Sequence, residues 1–388
     1  MEVTQIYPLV NGAVQEVLGE TAVVNEDLSN LVDLGDQVFN AGALDRYVKA
    51  LVNHIGRVIF VNRAYRGGAP SVLMDGWEFG SVLEKVQADM PDATENESGE
   101  LEDGASYDPN IFYQPKVSVK FFNKRVTFEI PVSFTEKQVM QSLSNVMQLN
   151  GFISMLYNNV DKAMTVRIDA LIMRTINNMI GETVHSEYTT GSGYDAKSGI
   201  RAVNLLYLYK QRYADTMLTA ETALTDPSFI RFASMTMKNY VKRLAKMSTL
   251  FNVGGKERFT PADLLHVVML ADFESAAEIY LYDGEGQFRV DNIRLPGADT
   301  VPYWQGSGTD YAFDSVSGIN VKTSGNNTVE LTGILAVMFD RDALGVSNLD
   351  RRVTTNYNPK AEFYTNFYKF DAGYFNDLNE NFVVFFVA

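Results

Sequence analysis

The chain has 388 residues, no cysteine and a net charge of −15, with 46% hydrophobic and 21% charged residues. That length calls for more than one core, the composition excludes wholesale disorder, and the missing cysteines exclude disulfides, zinc-thiolate centres and thiol nucleophiles. No apolar run reaches the roughly 18 residues that span a bilayer, and Met1-Glu2-Val3-Thr4 lacks the basic-then-apolar pattern of a signal peptide.

Residues 1–40 read as an extended arm, punctuated by Gly12, Gly19 and Gly35, with Gly42 just beyond. The first 45 residues hold eight acids (Glu2, Glu16, Glu20, Glu26, Asp27, Asp33, Asp36, Asp45) and no Lys or Arg. A short helix follows, with Leu44, Tyr47, Val48, Leu51, Val52 and Ile55 at three-to-four spacing and Gly56 placed to end it. Ile59, Phe60 and Val61 then suggest a brief strand, and Arg66-Gly67-Gly68-Ala69-Pro70 a turn.

Residues 86–115 hold eight more acids (Asp89, Asp92, Glu95, Glu97, Glu100, Glu102, Asp103, Asp108) and again no base. The rest of the chain has 32 acids against 33 bases, so the net charge resides in two segments. Each reads either as a solvated acidic loop or as an arm held near a complementary surface of a neighbour. Such acidity argues against a nucleic-acid reader, which needs a basic face. An excursion as long as 63–115 inside a compact domain is uncommon and tends to be functional or disordered.

The return limb has period two. Val117, Val119 and Phe121 alternate with polar residues, Asn123-Lys124 makes a turn, and Val126, Phe128, Ile130, Val132 and Phe134 alternate again. This predicts a long hairpin with one buried face, and Pro131 marks an edge near its end. Thr135-Glu136-Lys137-Gln138 matches a capping box, so a helix starts there. After Asn150-Gly151 a stripe runs through Phe152, Leu156, Val160, Met164, Ile168, Leu171, Ile172, Ile176 and Met179 to Gly181. That predicts a helix of about 30 residues, over ~40 Å long.

A linker rich in Gly, Ser and Tyr covers Glu187 to Ser198, and 200–345 reads as a mixed α/β lobe. Asp226-Pro227 is an N-cap followed by Pro at the first helical position, with the helix running to Met247. Leu264–Leu270 and Ile334–Phe339 are buried strands, a helix opens at Ala271, 282–328 is loop-rich, and Arg341–Leu344 is a short helical turn. Strands at Arg352–Tyr357, Phe363–Phe370 and Phe382–Val387 close the chain.

Reaction chemistry is hard to find. His54, His185 and His266 lack metal-ligand spacing, and His266, in an apolar run, reads as a hydrogen-bonded core residue. Gly254-Gly255-Lys256 lacks the preceding Gly of a phosphate loop and reads as a helix-ending turn. Asp283-Gly284-Glu285-Gly286 lacks the remaining calcium-loop ligands. No catalytic, metal or cofactor site is expected.

The order of parts is more telling: an arm, a long excursion, a capped helix leading to a very long one, an α/β lobe and a return by strands. This resembles the α+β HK97-like fold of tailed-phage and herpesvirus capsid shells over essentially the whole chain. Ile55-Gly56-Arg57-Val58-Ile59-Phe60 and Asn358-Pro359-Lys360-Ala361-Glu362-Phe363-Tyr364-Thr365-Asn366-Phe367-Tyr368 are similar to counterparts in capsid proteins of small podophages of Gram-positive hosts. The resemblance implies an N-terminal arm (1–40), a first part of a peripheral lobe (41–62), an extension loop and hairpin (63–134), a peripheral lobe with spine helix (135–199), an axial lobe (200–349) and returning peripheral strands (350–388). It implies a non-enzymatic major capsid protein, assembled in the host cytoplasm into pentamers and hexamers of an icosahedral or prolate virion shell. Its expected partners are itself, a scaffolding protein, a portal and double-stranded DNA contacted without sequence specificity, with no membrane. In this frame the acidic residues Glu95, Glu97, Glu100, Glu102 and Asp103 face basic residues of a neighbouring subunit, with Lys162, Arg167, Arg174, Arg351 and Arg352 as candidates. The alternatives are an encapsulin-like protein compartment and, from another class, an acidic carbohydrate-active hydrolase or adhesin.

Overall fold

A computed structural model describes residues 3–19, 22–40, 42–61, 69–74, 83–88, 98, 101–107, 110, 112, 114, 116–142, 146–188, 193–194, 196–214, 217–281, 298–304 and 318–388. In chain order the elements are α1 (Val3–Leu18), α2 (Leu31–Asn40), α3 (Leu44–Val61), β1 (Leu73–Met74), β2 (Leu83–Ala88), β3 (Val117–Phe122), β4 (Arg125–Thr135), α4 (Glu136–Ser142), α5 (Val146–Glu187), β5 (Ala202–Asn204) and α6 (Leu205–Tyr213). They continue with α7 (Pro227–Leu244), β6 (Leu265–Leu270), α8 (Ala271–Leu281), β7 (Ala298–Val301), β8 (Gly318–Lys322), β9 (Thr328–Thr332), β10 (Ile334–Asp340), β11 (Leu344–Asn358), β12 (Phe363–Asn376) and β13 (Phe382–Phe386). The chain divides into two units, one comprising Met1–Glu78, Arg125–Ile172 and Val346–Gly373, the other Phe79–Lys124, Met173–Gly345 and Tyr374–Ala388.

The first unit holds α1 to α3 and a sheet of order β1-β11-β12-β4. The expected extended arm is instead helical. Leu9, Val10, Ala13 and Val14 are buried, giving α1 an apolar stripe that packs on α3. Of the four glycines read as punctuation, Gly19 and Gly42 do lie at helix ends with positive φ, whereas Gly12 and Gly35 lie inside helices. A Cβ on Gly12 would come within 2.9 Å of the His54 ring, so this glycine admits a close approach between α1 and α3. Nor does Gly56 end α3, which runs on to Val61 and includes the stretch expected as a strand. One glycine costs a helix only about 1 kcal/mol, too little to stop it.

β4 lies along β12 in an antiparallel register from Phe363 opposite Thr135 to Gly373 opposite Arg125. It is an edge strand of the sheet, which is where Pro131 fits. The hairpin expected from β3 to β4 does not form: β3 pairs with β2, and the two strands belong to different units. The capping box forms as read. Thr135 N donates to Gln138 Oε1 at 2.9 Å, and Gln138 N donates to Thr135 Oγ1 at 3.3 Å. α5 has 42 residues, about 63 Å at 1.5 Å per residue, and extends beyond both expected ends. Gly151 and Gly181 lie within it, and a Cβ on Gly181 would make ordinary contact with Val321 at 3.5 Å.

The second unit is built on a sheet of order β5-β13-β10-β6-β7. Every residue of β10 and β13 is buried, as the unbroken apolar runs imply. α7 is capped by Asp226, whose Oδ1 accepts from Phe229 N at 2.7 Å, with Pro227 in the first turn. α7 ends at Leu244, so Gly254-Gly255 is a separate turn in which Gly255 has φ +64°. The loop-rich 282–328 stretch contains β7 and the paired β8 and β9 among its described residues. Arg341–Ala343 is a hydrogen-bonded turn and not a helix, with Ala343 N donating to Asp340 O. The closing strands are shared out: β13 and Tyr374–Asn376 belong to this unit, and Phe363–Gly373 to the first. His266 stacks on Phe339, but its Nδ1 has no hydrogen-bond partner among the described residues, contrary to the bonded role expected.

Candidate inter-subunit surface

β2 and β3 form a two-stranded sheet with Lys85 opposite Lys120, Gln87 opposite Ser118, Val86 opposite Val119 and Glu84 opposite Phe121. Strand alternation therefore sorts Lys85, Gln87, Ser118, Lys120 and Phe122 onto one face and Glu84, Val86, Val117, Val119 and Phe121 onto the other. The period-two pattern predicts that the apolar face is buried. In the structure it is the exposed one: Val86 is 61% exposed, Val117 55%, Val119 46% and Phe121 64%.

The inward face is the charged one. Lys85 and Lys120 are like charges directly opposed, an arrangement that repels unless neutralised. Asp377 neutralises both: its Oδ1 accepts from Lys120 Nζ at 2.7 Å and its Oδ2 lies 3.1 Å from Lys85 Nζ. Glu380 Oε1 accepts from Lys85 Nζ at 2.7 Å, Gln87 Nε2 at 2.8 Å and Arg258 Nε at 3.3 Å. Asp377 is only 1% exposed and Glu380 7%, so each carboxylate needs these partners. Burial alone would raise the Asp377 carboxyl, but the Lys120 hydrogen bond and the Lys85 charge outweigh it and hold it below the usual range. For Glu380 burial prevails over Lys85 and Arg258 and pushes the carboxyl above its usual value. Phe122 meets Phe375 at 5.2 Å between ring centroids and completes the attachment.

Pattern reading missed this network. The alternation of Lys85-Gln87 and Ser118-Lys120 was visible, but charged stripes are ordinarily solvated faces. Nothing local shows that Asp377 and Glu380, more than 250 residues further on, lie beneath them.

Of the acidic residues expected at a contact, Glu95, Glu97 and Glu100 lie outside the described residues. Glu102 and Asp103 are exposed on a defined turn, where Ala105 N donates to Glu102 O, Glu102 N donates to Tyr107 Oη and Gly104 has φ +86°. Leu101 and Tyr107 on the same turn are 64% and 50% exposed. Among the basic candidates, Lys162 and Arg167 are exposed on α5, in a stretch that also carries Asp161 and Asp169. Arg174 is engaged within its unit, donating to Tyr374 Oη at 3.0 Å with its guanidinium 5.0 Å from that ring's centroid. Arg352 donates to Asp371 Oδ2 at 3.1 Å. Burial would raise Asp371, but Thr127 and Arg352 hold it below its usual value. Arg351 lies on β11, next to Arg352.

No group of three or more His, Asp or Glu among the described residues is placed to hold a metal ion. No helix among them is long and apolar enough to cross a membrane.

A family model described as Phi29-like phage major capsid protein matches residues 10–386. Among solved structures, the chain is similar to a capsid structure of Staphylococcus phage Andhra, at 9% identity and a TM-score of 0.51, covering 84% of this chain and 86% of that one. Mycobacterium phage Ogopogo is also matched, at 13% identity and a TM-score of 0.43, covering 84% and 94%. At 9% identity the likeness to the Andhra capsid speaks to the fold alone. A search of curated proteins by sequence found no match.

Proposed function

This chain belongs to the Phi29-like phage major capsid protein family and builds the virion shell on an HK97-like fold, and from that premise we infer how it meets its neighbours. The shell is a phage capsid, which the family match favours over an encapsulin-like compartment or a carbohydrate-active protein. Subunits associate into pentamers and hexamers, and the exposed face of the β2–β3 sheet is pressed against an adjacent copy. The observation that carries this is the inverted polarity of that sheet: its lysines are paired inside, and its valines and Phe121 are outside beside Glu84. Contiguous exposed apolar surface marks protein contacts, and completing the burial of each side chain contributes on the order of 1 kcal/mol.

In this reading the first unit, with much of α5, is the peripheral lobe, and the second, with its five-stranded sheet, is the axial lobe. The acidic residues from Glu95 to Asp103 meet cationic surface of a neighbour. A scaffolding protein and a portal assist assembly, the enclosed double-stranded DNA is contacted without sequence readout, and the subunit has no catalytic role. Negative-stain microscopy of the purified chain, expressed with and without a scaffolding protein, tests the reading. Closed particles or ring-shaped capsomers are expected; a monomer at high concentration under both conditions contradicts it.

A further inference from the structure

From Pro227 to Lys256 the sequence carries six bases (Arg231, Lys238, Lys242, Arg243, Lys246, Lys256) and no Asp or Glu, in a chain of net charge −15. α7 occupies most of this stretch and is amphipathic. Phe229, Ile230, Phe232, Ala233, Met237, Tyr240 and Leu244 are buried. The opposite face presents Arg231, Met235 and Lys242, continued past the helix end by Lys246, with Lys238 half-buried on the same line. Among the described residues, Lys238, Lys242 and Lys246 meet no carboxylate. This contrasts with α5, where Lys162 and Arg167 share their stretch with Asp161 and Asp169, and with Arg174 and Arg352, which are already engaged. Met235 (41% exposed) and Met247 (38%) add apolar contact to the cationic line.

We propose that this face of α7 docks the acidic turn Leu101–Tyr107 of a second copy of the chain. The inference rests on reading the chain as a self-assembling shell subunit, and it moves the cationic partner from α5 and β11 to α7. The chemistries complement each other. The turn offers Glu102 and Asp103 beside the exposed Leu101 and Tyr107. The helix offers lysines one turn apart beside methionine, over about 16 Å from Arg231 to Lys242. A duplex would use the lysines but not the methionines, and the acidic turn uses both. Paired charges at such a contact set register and partner choice and weaken with salt.

The absence of cysteine permits a direct test by disulfide trapping in assembled particles. Asp103→Cys combined with Lys242→Cys gives disulfide-linked multimers on a non-reducing gel; Asp103→Cys with Lys162→Cys gives none. A ladder from the 103/162 pair alone, or particles that form with no ladder from either, overturns the proposal. Should the cysteine pairs not assemble, charge exchange decides. Lys242→Asp lowers particle yield at least tenfold at low salt, and Glu102→Lys with Asp103→Lys restores it; lack of rescue overturns the proposal. Normal assembly of Lys238→Gln/Lys242→Gln/Lys246→Gln particles that retain less DNA assigns the face to nucleic acid and also overturns it. If the wild-type chain forms no particles or capsomers, it is the shell reading that fails.

Discussion

Asp377 holds two opposed lysines with one oxygen each, and its side chain is wholly buried. Replacing it with Asn removes the carboxylate between Lys85 and Lys120 while Lys85 keeps Glu380; because both lysines are partly exposed, the loss should be about 2–3 kcal/mol, below the roughly 3–5 kcal/mol of a fully buried pair. Urea unfolding of Asp377→Asn should show that loss, whereas Glu380→Gln should lose less, because burial already disfavours the Glu380 charge. The pH signs are opposite. The Asp377 carboxyl is depressed in the fold, so its contribution is full above the unfolded value of about 3.9 and is lost as pH falls through the lower folded value. The Glu380 carboxyl is raised, so its contribution is full below the unfolded value of about 4.3 and is lost as pH rises through the folded one. His266 is depressed chiefly by burial. Its protonation favours the unfolded chain, so stability should fall with pH below about 6.5. His266→Phe should flatten that part of a thermal-melt profile between pH 7 and 5. Gly333 has φ +69°, and a Cβ there would clash with the Val387 carbonyl oxygen. Gly333→Ala should cost about 2–4 kcal/mol, combining left-handed backbone strain with overpacking.

Among the elements, the capping box and the Asp226 cap show local chemistry acting as the residue types dictate. Thr135→Ala should cost about 1 kcal/mol in urea unfolding, since the Gln138 amide then loses its acceptor. The glycines behave differently. Gly56, Gly151 and Gly181 lie in helix interiors although Gly56 and Gly181 read as helix ends and Gly151 as the boundary before the long helix, because packing along a helix outweighs the ~1 kcal/mol penalty of one glycine. The hairpin read into 117–134 fails for a related reason. Alternation tells which side chains share a face but not which strand lies alongside, so β3 could equally pair with β2, and β4 with β12, across more than 200 residues.

For the whole molecule, the exposed face of the β2–β3 sheet separates folding from assembly. Val86→Ser, Val119→Ser and Phe121→Ser should each change the unfolding free energy of the isolated subunit by no more than about 0.5 kcal/mol, as surface changes do. With the three together, particle yield by sedimentation should fall at least tenfold. A parent-like yield would mean that this face is not a subunit contact.

Composition and pattern alone determined much about this protein: several cores, no thiol chemistry, the segregation of acid into two stretches, both helix caps, the buried runs of β6, β10 and β13, and a part order resembling a capsid shell. These depend on local chemistry, which each residue carries with it. Tertiary structure decided the rest. It folded Val3–Leu18 and Leu31–Asn40 into helices, because α1 and α2 are stabilised by what they pack against. It also reversed the faces of the β2–β3 sheet, because the partners of Lys85 and Lys120 come from the far end of the chain. The sheet at the base of the loop expected to reach a neighbour thus pairs its lysines within the subunit and turns its valines and Phe121 outward.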